Sequence, residues 1–254
     1  MAIKLIIFDC DGTIVDTSMV HAQASSMALK ALGIDIQPQE LLDLTAGMDG
    51  RTAFEFLRTH PQHGFSADAD FAAFKTHADA NFLNALHQIH ADSLCVEGFP
   101  TFFDMAESRN CIFAAASNGA HHNVMASLER VGYAQRFHSI VVGAQVARPK
   151  PAPDMLLHII EQAAQQGIRP HEIAFFGDTM ADVHAGKAAG LTVYTVIGAF
   201  KGTAADKANL KDEMHQHGAH VFENYFDALC ILTQRPAHHI DIHKRNRPKI
   251  RLAS

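Results

Sequence analysis

The chain has 254 residues, enough for one large core or for a core with a smaller second unit. Hydrophobic residues make up 48% and charged residues 19%, a globular composition that excludes a disordered or fibrous chain. The net charge of −6 argues against general nucleic-acid binding, and no apolar run reaches membrane-spanning length.

Charge is unevenly spread. Residues 236–254 hold five Lys/Arg and one Asp, which leaves 16 basic against 26 acidic residues in the rest of the chain. Cys10, Cys95, Cys111 and Cys230 are widely spaced, three of them in apolar runs, as expected of reduced core residues in a cytoplasmic protein.

The first element expected is a strand over residues 3–8. Its apolar run shows no alternating polar face, the pattern of a strand buried on both sides in an α/β sheet. A core strand this early leaves no room for a signal peptide. The strand runs into Asp9-Cys10-Asp11-Gly12-Thr13. One intervening residue points both carboxylates to the same side, where they repel unless a cation lies between them or one is protonated. A metal site, an acid/base pair, both together, or a solvated Asp-Gly turn all fit those residues alone.

Residues 17–92 contain no strand pattern. Helices are expected from Thr17 or Ser18 to Gly33, over 39–45 and 51–59, and from about residue 67 to 90. They read as a helical unit inserted into the α/β chain and packed over the sheet's edge. From Val96 the strand–helix alternation resumes, with strands over 111–116, 139–142, 173–176, 192–197 and 220–222. Helices over 99–108, 123–131, 154–166, 180–189 and 203–217, and one ending near Leu232, separate and follow them. This order implies a Rossmann-like, mainly parallel sheet with right-handed crossovers. The organisation expected is an α/β core from 1–16 and 94–235, an inserted helical cap over 17–93, and a basic tail over 236–254.

Three further segments at strand ends carry polar chemistry. Ser117-Asn118-Gly119 offers a hydroxyl and free backbone N–H groups, suited to a phosphoryl oxygen or simply to a turn. Lys150 lies between Pro149 and Pro151, which stiffen the backbone around a cation. Asp178 and Asp182 follow a strand as Gly-Asp-x-x-x-Asp, a pattern that serves either Mg²⁺ or a helix N-terminus. His238, His239 and His243 in the tail, and the pair His121-His122, are spaced as zinc ligands can be; with no accompanying Cys, a structural zinc site is not expected.

Taken together, Asp9-x-Asp11-x-Thr13, Ser117, the Lys150 loop and Gly177-Asp178-x-x-x-Asp182 resemble, in order, the four motifs of the haloacid dehalogenase superfamily. The likeness spans roughly residues 1–232. It implies phosphoryl transfer through an aspartyl-phosphate, with Asp9 as nucleophile and Asp11 as general acid and base. It implies that Ser117, the Asn118 N–H and Lys150 hold the phosphoryl group. Mg²⁺ would be held by Asp9, the Asp11 carbonyl and Asp178, with Asp182 in support. Dehalogenases of this superfamily lack an acid at the second position, so Asp11 points to the phosphotransferase type. The helical insertion is similar to the cap of the phosphoglycolate phosphatase and β-phosphoglucomutase-like subgroup, in which Arg51 and His21 would face the substrate. The form Gly-Asp-Thr-x-x-Asp favours a phosphatase over a phosphomutase, whose relatives carry an acid before that Asp. A small phosphorylated metabolite is the expected substrate, and a monomer or homodimer the expected state.

Overall fold

The structure is a computed structural model that describes residues 3–233, apart from 47, 49, 66 and 67. The basic tail and its histidines lie outside the described residues.

Six strands form one parallel sheet: β1 (Leu5–Phe8), β2 (Ile112–Ser117), β3 (Ser139–Val142), β4 (Ile173–Gly177), β5 (Thr192–Val196) and β6 (His220–Phe222), in the order β3-β2-β1-β4-β5-β6. All four residues of β1 are buried, because β1 is an inner strand covered on both faces. Ile6 and Phe8 point into one layer, with Phe113 and Phe176 from neighbouring strands. This layer is closed by α5 (Phe99–Glu107), α6 (His121–Arg130) and α10 (Tyr225–Thr233). Leu5 and Ile7 point into the other, against α7 (Asp154–Gln165), α8 (Met180–Ala188) and α9 (Ala204–Gln216). The strand period of two thus feeds two separate cores from one short run.

Between β1 and β2 stand α1 (Ser18–Ala31), α2 (Pro38–Leu44), α3 (Gly50–Arg58) and α4 (Phe71–Gln88). They enclose a small core of their own, including Leu29, Ile36, Leu41, Phe54, Leu57 and Phe74. α1 and α4 also send Val20, Ala24, Phe82, Ala85 and Leu86 into the layer beneath the sheet's Phe8 face. One expectation is corrected here. The insertion leaves from a central strand, and it stands over the carboxyl ends of the strands, against Gly12 and the 178–181 turn, instead of over a lateral edge.

Register decides where the polar segments meet. Phe8 is level with Ala115 on β2 and with Phe176 on β4. Asp9 is therefore level with Ala116 and Gly177, while Ser117 and Asp178 lie one residue further out. Three strand ends at one height bring residues more than a hundred positions apart to a single point, outside the carboxyl edge where parallel sheets bind ligands.

Candidate active site

Asp9 closes β1. Its N–H donates to the Phe176 carbonyl at 2.8 Å, which keeps the chain in the sheet until its side chain has reached the site. Asp9 is buried. Lys150 Nζ lies 2.7 Å from Asp9 Oδ1, so this buried carboxylate is paired with a buried cation. Burial pushes the Asp9 carboxyl up to about 7 against the pull of Lys150, with Asp182 and Asp11 adding to the rise.

Asp178 lies at the end of β4. Burial first, then Asp182 and Asp9, raise its carboxyl well above the ordinary range. The Thr13 hydroxyl donates to Asp178 Oδ1 at 2.9 Å. Gly12 has φ +76°, and a Cβ there would stand 2.1 Å from Asp178 Oδ2. Both the left-handed backbone and the close approach of the second acid therefore require glycine.

Asp182 is fully buried and its carboxylate is committed. Oδ1 accepts from Lys150 Nζ at 2.6 Å, and Oδ2 accepts from the Thr179 hydroxyl at 2.5 Å, the Thr179 N–H at 3.0 Å and the Asp178 N–H at 3.3 Å. Gly177 lets this carboxylate in, since a Cβ there would lie 2.4 Å from the Asp182 Cβ. Burial alone would lower the Lys150 ammonium, but Asp182 and Asp9 outweigh it and hold its pKa above the usual lysine value. Lys150 is thus a permanent cation with two of its three protons directed at carboxylates and one left over. A cis peptide bond joins it to Pro151.

Asp11 is less buried than Asp9, Lys150 and Asp182. Its side chain is 33% exposed. The Thr17 hydroxyl donates to Asp11 Oδ1 at 2.7 Å, and His21 Nε2 lies 4.0 Å from the same oxygen. Thr17 does stand at the N-cap of α1, but its hydroxyl serves Asp11 and not the helix. Ser117 is buried, and Gly119 N–H donates to its Oγ at 3.1 Å. Asp11 Oδ2 would lie 3.4 Å from a Cβ built at Gly119, so the β1 and β2 turns close on one another.

The carboxylates of Asp9, Asp178 and Asp182 each offer an oxygen within 4.8 Å of the others. Hard oxygen donors, and two acids whose pKa values are raised by burial first and by neighbouring carboxylates second, suit Mg²⁺. Asp9 and Asp178 are the acids free to ligate. Asp182 acts through the hydrogen bonds that orient Lys150 and the 178–179 backbone.

A cavity of about 890 Å³ opens between this group and the inserted helices. Gly12, Asp178 and His21 line one part of it, and Phe54, Phe71 and Phe74 another. Arg51 is not among its lining residues; its guanidinium lies over the Phe71 ring, 4.5 Å from the centroid. The structure thus gathers Asp9, Asp11, Ser117, Lys150, Asp178 and Asp182, places His21 on the cavity lining, and leaves Arg51 exposed over the Phe71 ring and off that lining. Thr13 and Thr179 were named from sequence only as motif members and Thr17 only as a helix start; none was given a bond to a site acid. Each is a hydroxyl one to six residues from a site acid, and that proximity was the available signal.

Comparison with known proteins agrees with this geometry. Residues 6–196 match the family model for haloacid dehalogenase-like hydrolases. An N-acetylmuramic acid 6-phosphate phosphatase of Pseudomonas aeruginosa is 26% identical over 200 residues, covering 75% of this chain and 80% of that one. A phosphoglycolate phosphatase of Escherichia coli K12 is 28% identical over 204 residues, covering 74% and 79%. Among solved structures, a predicted phosphoglycolate phosphatase of Haemophilus somnus 129PT superposes with a TM-score of 0.70 at 21% identity, covering 90% and 97%. CbbY of Rhodobacter sphaeroides in complex with phosphate does so with 0.64 at 24%, covering 88% and 95%. The family match extends from the first strand to the fifth and takes in every residue gathered at the site, so this chain belongs to the haloacid dehalogenase-like hydrolases.

Proposed function

We propose that this protein is a Mg²⁺-dependent phosphatase that hydrolyses a small organic phosphomonoester through an aspartyl-phosphate on Asp9. The coarser statement, a phosphoric monoester hydrolase of its family, has the support of the family match and of curated relatives named as phosphatases. The observation that supports the finer one is the buried Asp9 carboxylate, held 2.7 Å from the Lys150 ammonium at the point where β1, β2 and β4 end together.

Asp9 attacks phosphorus and the bond to the alkoxide oxygen breaks. Asp11, whose side chain is partly exposed, gives its proton to that oxygen; it then removes one from the water that cleaves the aspartyl-phosphate. Lys150 and Ser117, with the Asn118 N–H, hold the phosphoryl oxygens whose charge would otherwise repel a carboxylate. When bound at Asp9, Asp178 and the Asp11 carbonyl, Mg²⁺ supplies charge neutralisation between nucleophile and phosphate. The inserted helices act as the cap over residues 17–93, excluding water and reading the leaving group.

Sugar-phosphate size suits the cavity better than a two-carbon acid. Its volume is in the upper part of the roughly 300–1,000 Å³ range of small-molecule sites. Its lining cations are already balanced, Lys75 by Asp79 and Lys201 by Asp16, each at 2.6 Å. A panel of sugar phosphates, phosphoglycolate and an aryl phosphate, assayed for phosphate release with wild type and Asp9→Asn, tests the proposal. Release by wild type alone supports it. Conversion of a sugar phosphate to its isomer without release would make the protein a phosphomutase instead.

A further inference from the structure

Lys150 has to place a flexible four-carbon side chain between two carboxylates, and its own loop gives it little help. Residues 147–149 and 151 are exposed, while Lys150 is 5% exposed. Pro149 and Pro151 carry no N–H, so the Lys150 amide is the sole backbone donor of that tripeptide. Its partner is not a strand. Lys150 N–H donates to Asn118 Oδ1 at 3.0 Å, and Asn118 Nδ2 donates to the Lys150 carbonyl at 2.9 Å. A carboxamide carries one donor and one acceptor side by side, so it satisfies both main-chain groups of a single residue, as a neighbouring strand would. Aspartate has the same shape but no donor, and serine cannot reach both.

We propose that the Asn118 side chain is a positioning residue for Lys150. It locks the Lys150 main chain to the end of β2, so that the ammonium reaches its place 2.7 Å from Asp9 and 2.6 Å from Asp182. This role is separate from the phosphate contact of the Asn118 N–H, which any side chain would leave intact. The clamp ties the turn that holds phosphate to the loop that holds the cation, and thereby fixes the distance between the two. The catalytic consequence rests on the function proposed above; the clamp itself does not. A displacement of about 1 Å in a charged group at a reacting centre is worth about a hundredfold in rate.

The test is a double-mutant cycle on phosphate release from an aryl phosphate, combined with amide exchange. Asn118→Ala is expected to lower kcat about 10- to 100-fold, with KM changing less than about threefold. In a Lys150→Ala background the same change should cost less than about twofold, because the group it positions is gone. By NMR, the single Lys150 amide should exchange at least about tenfold faster in Asn118→Ala, with the melting temperature within about 3 °C of wild type. Asn118→Asp, which keeps the acceptor and loses the donor, should fall between wild type and Asn118→Ala in both readouts. Equal losses in the two backgrounds, or an unchanged Lys150 amide, overturn the proposal. So does unfolding of both Asn118 variants, which would make the residue a folding element. If wild type releases no phosphate, or Lys150→Ala leaves no rate to compare, the exchange measurement alone decides, and a silent wild type counts against the function and not against the clamp.

Discussion

Asp182 faces Lys150 and not the solvent or the cavity: its Oδ1 lies 2.6 Å from Nζ, and neither side chain is more than 3% exposed. Burying two charges is costly, and here the return comes from the extra donors, the Thr179 hydroxyl and the 178 and 179 N–H groups. Removing one partner strands the others. Asp182→Ala should destabilise the metal-free protein by about 3–5 kcal/mol in chemical denaturation, the range for breaking a buried pair. Asp182→Asn should lose clearly less, since it keeps the volume and one acceptor. A loss below about 1 kcal/mol for the alanine variant would show that the pair does not support the fold.

Asp9→Asn should remove turnover and leave the fold intact. An amide is no nucleophile, and it relieves the burial of a carboxylate whose pKa is already pushed up to about 7. At pH 8 the metal-free variant should melt no lower than wild type. Retention of a tenth of wild-type phosphate release would exclude Asp9 as the nucleophile.

Metal and pH are linked through the same acids. A carboxyl whose folded pKa exceeds its unfolded value stabilises the fold at low pH and loses that contribution as the pH rises to the folded pKa. For Asp9 the window runs from the ordinary 3.8 to about 7, and Asp178 moves in the same direction. Mg²⁺ needs both ionised, so it should raise the melting temperature more at pH 8 than at pH 6. Chelator-treated protein should be inactive and recover with Mg²⁺, whereas Ca²⁺, with longer bonds and more ligands, should not restore it. Equal Mg²⁺-induced shifts at the two pH values would refute the linkage, and full activity in excess chelator would refute the metal requirement.

A substitution at Arg51 tests whether recognition is separate from chemistry. On the proposed mechanism Asp9, Asp11, Ser117, Lys150 and Asp178 would meet a phosphoryl group that all substrates share, so discrimination would fall to the helices over 17–93. Arg51→Ala should lower kcat/KM for the preferred substrate by about 1–3 kcal/mol, and for an aryl phosphate far less. Because the guanidinium lies 4.5 Å from the centre of the Phe71 ring, the variant also loses support for a cavity wall. Equal losses on both substrates would assign Arg51 to that wall and place recognition elsewhere.

What the sequence made legible was whatever a strand or its end dictates locally. Leu5–Phe8 reads as a buried strand because it is covered on both faces, and the acids and the hydroxyl at the strand ends carry their chemistry in their residue types. The mainly parallel sheet expected is parallel at every pair, and β2 runs one residue further than expected, which puts Ser117 inside the last sheet pair. The fourth helix was expected near 67 and starts at Phe71, because the Asp70 side chain caps the Ala72 and Ala73 N–H groups. Pairings across long separations left no local trace. Asn118 with Lys150, Lys150 with Asp182, and Lys201 with Asp16 are each specified by the register of different strands and loops. The apolar residues Phe71 and Phe74 follow a helical period whether they face a core or a cavity, so their place in the wall was unreadable.

The two crossings between the sheet and the inserted helices run side by side. Asp16 N–H donates to the Leu94 carbonyl at 2.7 Å, and Val96 N–H to the Ile14 carbonyl at 3.0 Å. The insertion is therefore a closed loop whose ends are already pinned together by the rest of the protein. Closing such a loop costs entropy only as the logarithm of its length, so segments of very different size could hang from this clasp without disturbing Asp9 or Asp178. Recognition and chemistry can then diverge at separate rates, the one exchanged as a cassette while the other stays fixed by strand register. The apolar contacts of Val20, Ala24, Phe82 and Leu86 set the limit on that freedom, because any replacement must cover the same part of the core.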